Sequence, residues 1–161
     1  MAVEIIRVGM ADLHVVNRPC ILLTVGLGSC VAIALFDKTR KTAGLAHIML
    51  PDSRQVKGPL NPAKFADTAI DELLRRMTDL GADIRDIMAK LAGGACMFEN
   101  GQGGRLNIGE RNIECAVNRL KRCKIPIAAM DVGKDYGRTV EFNTATGVLT
   151  IKAVGRDIRK I

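Results

Sequence analysis

The chain reads as an α/β (α+β) layered sandwich, with mixed and antiparallel sheets, two main helices and one domain over residues 1–161. Three observations predict it. Short apolar runs rich in β-branched residues recur along the chain, separated by turn residues. Two segments place apolar side chains at helical spacing. The order is strands, helix, strand, helix, strands, with no internal repeat or low-complexity stretch.

Residues 3–8 alternate weakly and read as an edge strand, followed by a polar connection over 12–19. Residues 21–25, 31–36 and 45–50 are apolar and short, so they read as strands. Between the last two lies a polar segment, 38–44, ending in Gly44, which reads as a hairpin loop and makes its flanks antiparallel neighbours. Pro51-Asp52-Ser53 ends the third strand, and 54–60 reads as a mobile surface loop beside it. Asn61-Pro62 joins a side-chain cap to a proline at the first helical position and opens a helix over 62–80. Phe65, Ala69, Leu73 and Met77 line its apolar face, and Gly81 supplies a left-handed end.

Residues 84–91 read as a strand running to Gly93-Gly94. That glycine pair, with the glycines at 101, 103 and 104 in the 95–105 loop, reads as a flexible lip. Ile113, Ala116, Val117 and Leu120 mark a second helix, about 109–123, with Lys121, Arg122 and Lys124 suiting its C-terminal end. Residues 125–130, 138–143 and 148–153 finish as strands, the last two joined by a turn at 144–147.

Composition narrows the function classes. At 161 residues and 48% hydrophobic, the chain can bury a real core. No apolar run approaches the ~18 residues of a spanning helix. The opening M-A-V-E-I-I-R-V-G-M lacks the signal-peptide pattern, so the expected location is the cytoplasm, with no membrane insertion. Five cysteines is an odd count with no C-x-x-C spacing, which suggests neither a disulfide framework nor a zinc site. A net charge of +7 fits nucleic acid or an acidic protein surface as a partner. Aromatic residues are 3% of the chain, so the stacking platforms of single-strand binders are nearly absent.

The chemistry concentrates between Thr24 and His47. In T-V-G-L-G-S-C, Gly26 and Gly28 relax the backbone just ahead of Cys30. Amides converging in this turn would lower the thiol pKa and hold an oxyanion, with Gly28 and Ser29 as its support. Most cysteines are instead structural, which is how Cys20, Cys96, Cys115 and Cys123 read. His47, alone on an apolar strand, is weak evidence. Its weight comes from pairing with Cys30 across the hairpin, since an imidazole beside a thiol is the usual activation of cysteine. Thr24 ends the strand leading into the turn, and its hydroxyl is a candidate for orienting the imidazole; spacing leaves open whether it reaches. His14 lies in a polar segment and is a poor candidate. The glycine turn lacks both the P-loop and dinucleotide patterns and is followed by a strand.

The blocks T-V-G-L-G-S-C-V-A-I, G-L-A-H-I-M-L-P-D-S, K-F-A-D-T-A-I, K-L-A-G-G-A-C-M-F, L-N-I-G-E-R-N and R-T-V-E-F-N-T-A-T-G, in this order, resemble the CheD family of chemoreceptor glutamine deamidases over nearly the whole chain. The resemblance implies a fold similar to the catalytic domain of cytotoxic necrotizing factor. It implies hydrolysis of glutamine side chains on the cytoplasmic helices of methyl-accepting chemotaxis proteins, without metal or cofactor. It also implies Cys30 as nucleophile, His47 as general base, Thr24 as third member, and a CheC-type phosphatase as a binding partner. A rival reading is an adaptor for such partners in which catalysis is secondary; nucleic-acid binding rests on charge alone.

Overall fold

The structure, a computed structural model, describes residues 2–97 and 107–161. Among the described residues, ten strands and two α-helices follow one another as β1 (Ile5–Arg7), β2 (Asp12–Val16), β3 (Ile21–Leu27), β4 (Val31–Asp37), β5 (Thr42–Ile48), α1 (Ala66–Asp79), β6 (Ile87–Gly93), α2 (Ile108–Arg122), β7 (Ile127–Val132), β8 (Arg138–Asn143), β9 (Val148–Lys152) and β10 (Arg159–Lys160). The strands form two mixed sheets, ordered β1-β3-β8-β9-β10 and β2-β5-β4-β6-β7. No helix among the described residues is long and apolar enough to cross a membrane.

The layering follows from β4 and β5, whose every residue is buried. A strand covered on both faces needs apolar side chains at every position, not at alternate ones. Here the two faces differ in size. Val31, Ile33 and Leu35 of β4 join Ala46 and Ile48 of β5 under the helices. Ala32, Ala34 and Phe36, with Ala43 and Leu45, face Leu22, Val140, Phe142, Leu149 and Ile151 of the other sheet. The result is three layers: helices, the β4–β5 sheet, and the second sheet. Gly44 permits the close approach of α1, since a Cβ there would meet Leu73 Cδ2 at 2.8 Å.

The hairpin pairing expected of the central strands is present, but the loop is shorter than 38–44, since β5 starts at Thr42 and ends at Ile48. β4 and β5 run antiparallel with Ala32 opposite His47 and Val31 opposite Ile48. The helical faces are also as the spacing predicts, with Ala69, Ile70, Leu73 and Met77 of α1 and Ala116 and Leu120 of α2 buried. Gly81 follows α1 at φ +101, the left-handed end.

Four other expectations change. The connection over 12–19 contains β2, an edge strand that buries Leu13 and Val16 against β5 and turns Asp12 outward. Its exposed Asp12 and half-buried His14 interrupt the apolar pattern and hide the strand. The helix over 62–80 divides: Asn61 caps a short 3-10 turn over Pro62–Lys64, accepting from the Ala63 N–H at 3.0 Å, and α1 starts at Ala66. The break lies at Phe65, which bridges Leu50, because the Lys64 carbonyl accepts from the Met49 N–H (2.8 Å) and Leu50 N–H (3.1 Å) as the chain leaves β5. A further two-residue strand, β10, pairs with β9 at the end of the chain. Gly93-Gly94 is buried at the end of β6 and packed on the Cys30 turn, so it is no flexible lip; the glycines at 101, 103 and 104 lie outside the described residues.

Leu35 is fully buried beneath the helices. Leu35→Ala should cost about 2–5 kcal/mol, read as a lower urea midpoint with an unchanged slope.

Candidate active site

Alternation along two paired strands gathers the candidate residues. Ala32 lies opposite His47 on the face between the sheets, and Cys30 stands two residues before Ala32 on that same side, packed in the same core. Cys30 and His47 are therefore diagonal neighbours. Such pairs sit about 7 Å apart at Cβ, within reach of the outer nitrogen of an imidazole. Cys30 is 7% exposed, buried but not sealed, whereas His47 is completely covered.

Thr24 comes from the opposite sheet. It is the last residue of β3 paired to β8 before an irregularity, and the ladder resumes at Leu27. Gly26, at φ +76, absorbs the break. Thr24 is buried, and its Oγ1 lies 2.7 Å from His47 Nδ1 and 2.6 Å from the Val8 carbonyl oxygen. A carbonyl cannot donate, so the threonine proton goes to Val8 and its oxygen must accept from Nδ1–H. That assigns the neutral tautomer with the Nε2 lone pair unprotonated. Nε2 is buried and has no hydrogen-bond partner among the described residues. The imidazole is held at one nitrogen and left basic at the other.

Burial sets the protonation states. It pushes the Cys30 thiol above its ordinary range, opposed only by the sulfur's contact with its own backbone N–H. It pushes His47 below the ordinary histidine value. The resting pair is thus neutral thiol and neutral imidazole, which corrects the expectation that the glycine turn lowers the thiol pKa. Cys115 is held more firmly out of use, its Sγ donating to the Pro51 carbonyl at 2.9 Å and its pKa pushed up to about 11.

The turn itself is anchored by its carbonyls. The Gly28 oxygen accepts from the Ala95 N–H (2.8 Å), the Ser29 oxygen from Asn112 Nδ2 (2.9 Å), and the Cys30 oxygen from the Gly94 N–H (2.8 Å). Gly93 permits this contact, because a Cβ there would lie 2.3 Å from the Cys30 oxygen. The Gly28 N–H is turned back to the Gly26 carbonyl at 3.2 Å, so it is not free for the oxyanion support expected of it. Sequence reasoning missed Asn112 and misread Gly93-Gly94. The G-G pair carried a signal, since adjacent glycines mark close backbone approach as well as looseness. An asparagine within a helix carries none.

Two adjoining cavities, about 740 and 590 Å³, share Pro51, Asp52, Arg54 and Arg111 as walls. Neither is lined by Thr24, Cys30 or His47. They form a surface groove beside α2, and its basic side chains include Arg119, Lys121 and Arg122.

A buried histidine held neutral binds its proton more readily in the unfolded chain. Below about pH 6.5 the unfolded state therefore takes up more protons, and stability should fall as pH drops, by at most about 1.4 kcal/mol per pH unit for this one group. His47→Gln should remove that slope between about pH 6.5 and 5, above the range where carboxylates titrate, as read from urea unfolding at several pH values.

A family model described as CheD chemotactic sensory transduction matches residues 49–153. The probable chemoreceptor glutamine deamidase CheD of Lachnoclostridium phytofermentans is 50% identical, over 98% of this chain and 99% of its own. That of Caldanaerobacter subterraneus subsp. tengcongensis is 47% identical over the whole of both chains. The chemoreceptor glutamine deamidase CheD of Halalkalibacterium halodurans is 46% identical, over 98% of this chain and 99% of its own. Among solved structures, the hypothetical protein YfiH of Bacillus licheniformis aligns with 76% of this chain and 49% of its own at 17% identity and a TM-score of 0.43, too loose a likeness to argue from. Matched end to end by such relatives, the chain belongs to the CheD family.

Proposed function

We propose that this chain is a chemoreceptor glutamine deamidase that hydrolyses glutamine side chains of methyl-accepting chemotaxis proteins to glutamate and releases ammonia. Cys30 is the nucleophile, His47 the general base and Thr24 the group that orients it. The observation that carries this reading is the 2.7 Å contact between Thr24 Oγ1 and His47 Nδ1, which leaves a basic Nε2 on the face shared with Cys30. Family membership supports the same substrate class.

The pair starts neutral, so proton transfer accompanies attack. His47 Nε2 takes the Cys30 proton as the sulfur adds to the carboxamide carbon. Ser29 and Cys30 amides stabilise the oxyanion, each such donor being worth about 3 kcal/mol. The imidazolium then protonates the departing ammonia. Water, deprotonated by His47, hydrolyses the thioester to glutamate and restores the thiol. Thr24 holds Nδ1 and so keeps the accepting nitrogen on the far side of the ring throughout.

The binding of a CheC-type phosphatase is carried by the family resemblance alone. An adaptor role is separable by experiment: a Cys30→Ala chain that still retains partners but not ammonia release has both functions.

Incubation with a purified cytoplasmic receptor fragment should convert particular glutamines to glutamate, read by peptide mass spectrometry. Cys30→Ala should abolish the conversion and His47→Ala should slow it about 10²–10⁴-fold; ammonia release persisting in Cys30→Ala would sink the reading. Arg111 and its basic neighbours along the groove suit an acidic protein surface, so kcat/KM should fall as ionic strength rises from about 0.05 to 0.5 M. A rate indifferent to salt would remove the groove from substrate capture.

A further inference from the structure

Asn112 is a polar side chain on α2 with no exposure to solvent. Its Nδ2 donates to the Ser29 carbonyl at 2.9 Å and to the Met49 carbonyl at 3.0 Å. Its Oδ1 is buried and has no partner among the described residues. Exchanging the amide's oxygen and nitrogen would set an oxygen against two carbonyls, so this orientation follows from the acceptors. Buried side-chain amides usually satisfy both ends. Here one end is left unmatched while the other is fully engaged.

The two carbonyls belong to the two strands that carry the candidate chemistry. Ser29 immediately precedes Cys30, and Met49 follows His47 by two residues, just beyond the end of β5. The antiparallel ladder stops at Val31 and Ile48. Beyond it no ladder pairing joins the two chains, and Asn112 ties them by side-chain bonds where strand pairing has ended. Of the three groups that hold the turn's carbonyls, Gly94 and Ala95 belong to the exit of β6, and Asn112 alone also grips the His47 strand. Its helix is firmly seated. Asn107 caps α2 by accepting from the Glu110 N–H at 2.9 Å, and a Cβ on Gly109 would lie 2.5 Å from the Ala95 oxygen.

We infer that Asn112 is a positioning residue: it sets the spacing between the Cys30 turn and the His47 strand, and so the reach of His47 Nε2 to the Cys30 sulfur. The inference rests on the proposed roles of Cys30 and His47. It assigns Asn112 no contact with substrate. Its loss should lower kcat and spare KM, because substrate binding elsewhere on the surface is untouched.

The test compares wild type with Asn112→Asp, which keeps shape but loses the paired donors, and Asn112→Ala, which also removes the unmatched oxygen. Circular dichroism and thermal unfolding select the variants that fold, and Asn112→Ala serves should the aspartate not be tolerated. Two readouts are taken. With a receptor fragment, kcat should fall about 10- to 100-fold with KM within about twofold. Without any substrate, iodoacetamide alkylation of Cys30, followed at its own peptide by mass spectrometry, should slow at pH 7 towards the rate of His47→Ala. The variants should converge with wild type at high pH, once the thiol ionises unaided. Alkylation at pH 7 equal to wild type in a folded variant overturns the inference, even if its melting temperature drops. A loss confined to KM overturns it too. If wild type fails to deamidate the fragment, the function proposed above falls, while the alkylation profile still decides whether Asn112 governs the Cys30–His47 pair.

Discussion

Two strands without a solvent face impose the main constraint on this molecule. β4 and β5 lie between the helices and the second sheet, so each residue in them must satisfy one of two cores. Along β5 this is met by small and apolar groups until His47. An imidazole there cannot look to water, and the layer supplies one hydroxyl at the required place, on Thr24. The burial that builds the fold also sets the chemistry. Desolvation lowers His47 and raises Cys30, leaving a neutral base and a neutral thiol on one face of the sheet.

The mouth of the site is built mostly from backbone. Three successive carbonyls, Gly28 to Cys30, are each held by an N–H from β6's exit or from α2. Such contact requires near touching of main chains, which explains glycines at both 93 and 109: a Cβ at either would lie 2.5 Å or less from a carbonyl oxygen. A turn held by its oxygens keeps its shape through the main chain, and the thiol it carries stays buried but not sealed.

The basic charge is distributed more conservatively than its total suggests. Arg138 is buried against Asp131, and Arg159 reaches the same carboxylate from the surface. Arg40 joins Asp37 and Asp86, linking the β4–β5 hairpin to the chain entering β6. Arg75 and Arg76 share Glu72 on α1. Exposed pairs of this kind contribute little to stability. They do place much of the positive charge in local partnerships, and the groove beside α2 is where several basic side chains gather around open space.

The layered fold class, the central hairpin and the two helical faces were legible in the sequence because they depend on periodicity, and periodicity is local. The motif blocks carried the family. Burial on both sides of β4 goes with its unbroken apolar run, V-A-I-A-L-F, which by itself says only that the segment is a strand. The edge strand β2 and the break at Phe65 were hidden, since one has a wet face and the other answers to carbonyl bonding from a distant strand. Thr24, Cys30 and His47 could be nominated from residue type, but nothing along the chain decides that a threonine 23 positions before a histidine becomes its hydrogen-bond acceptor. That depended on two sheets stacking in register. Asn112 shows the same division: its sequence neighbours describe an ordinary amphipathic helix, and tertiary packing alone brings one amide between the carbonyls of two separate strands.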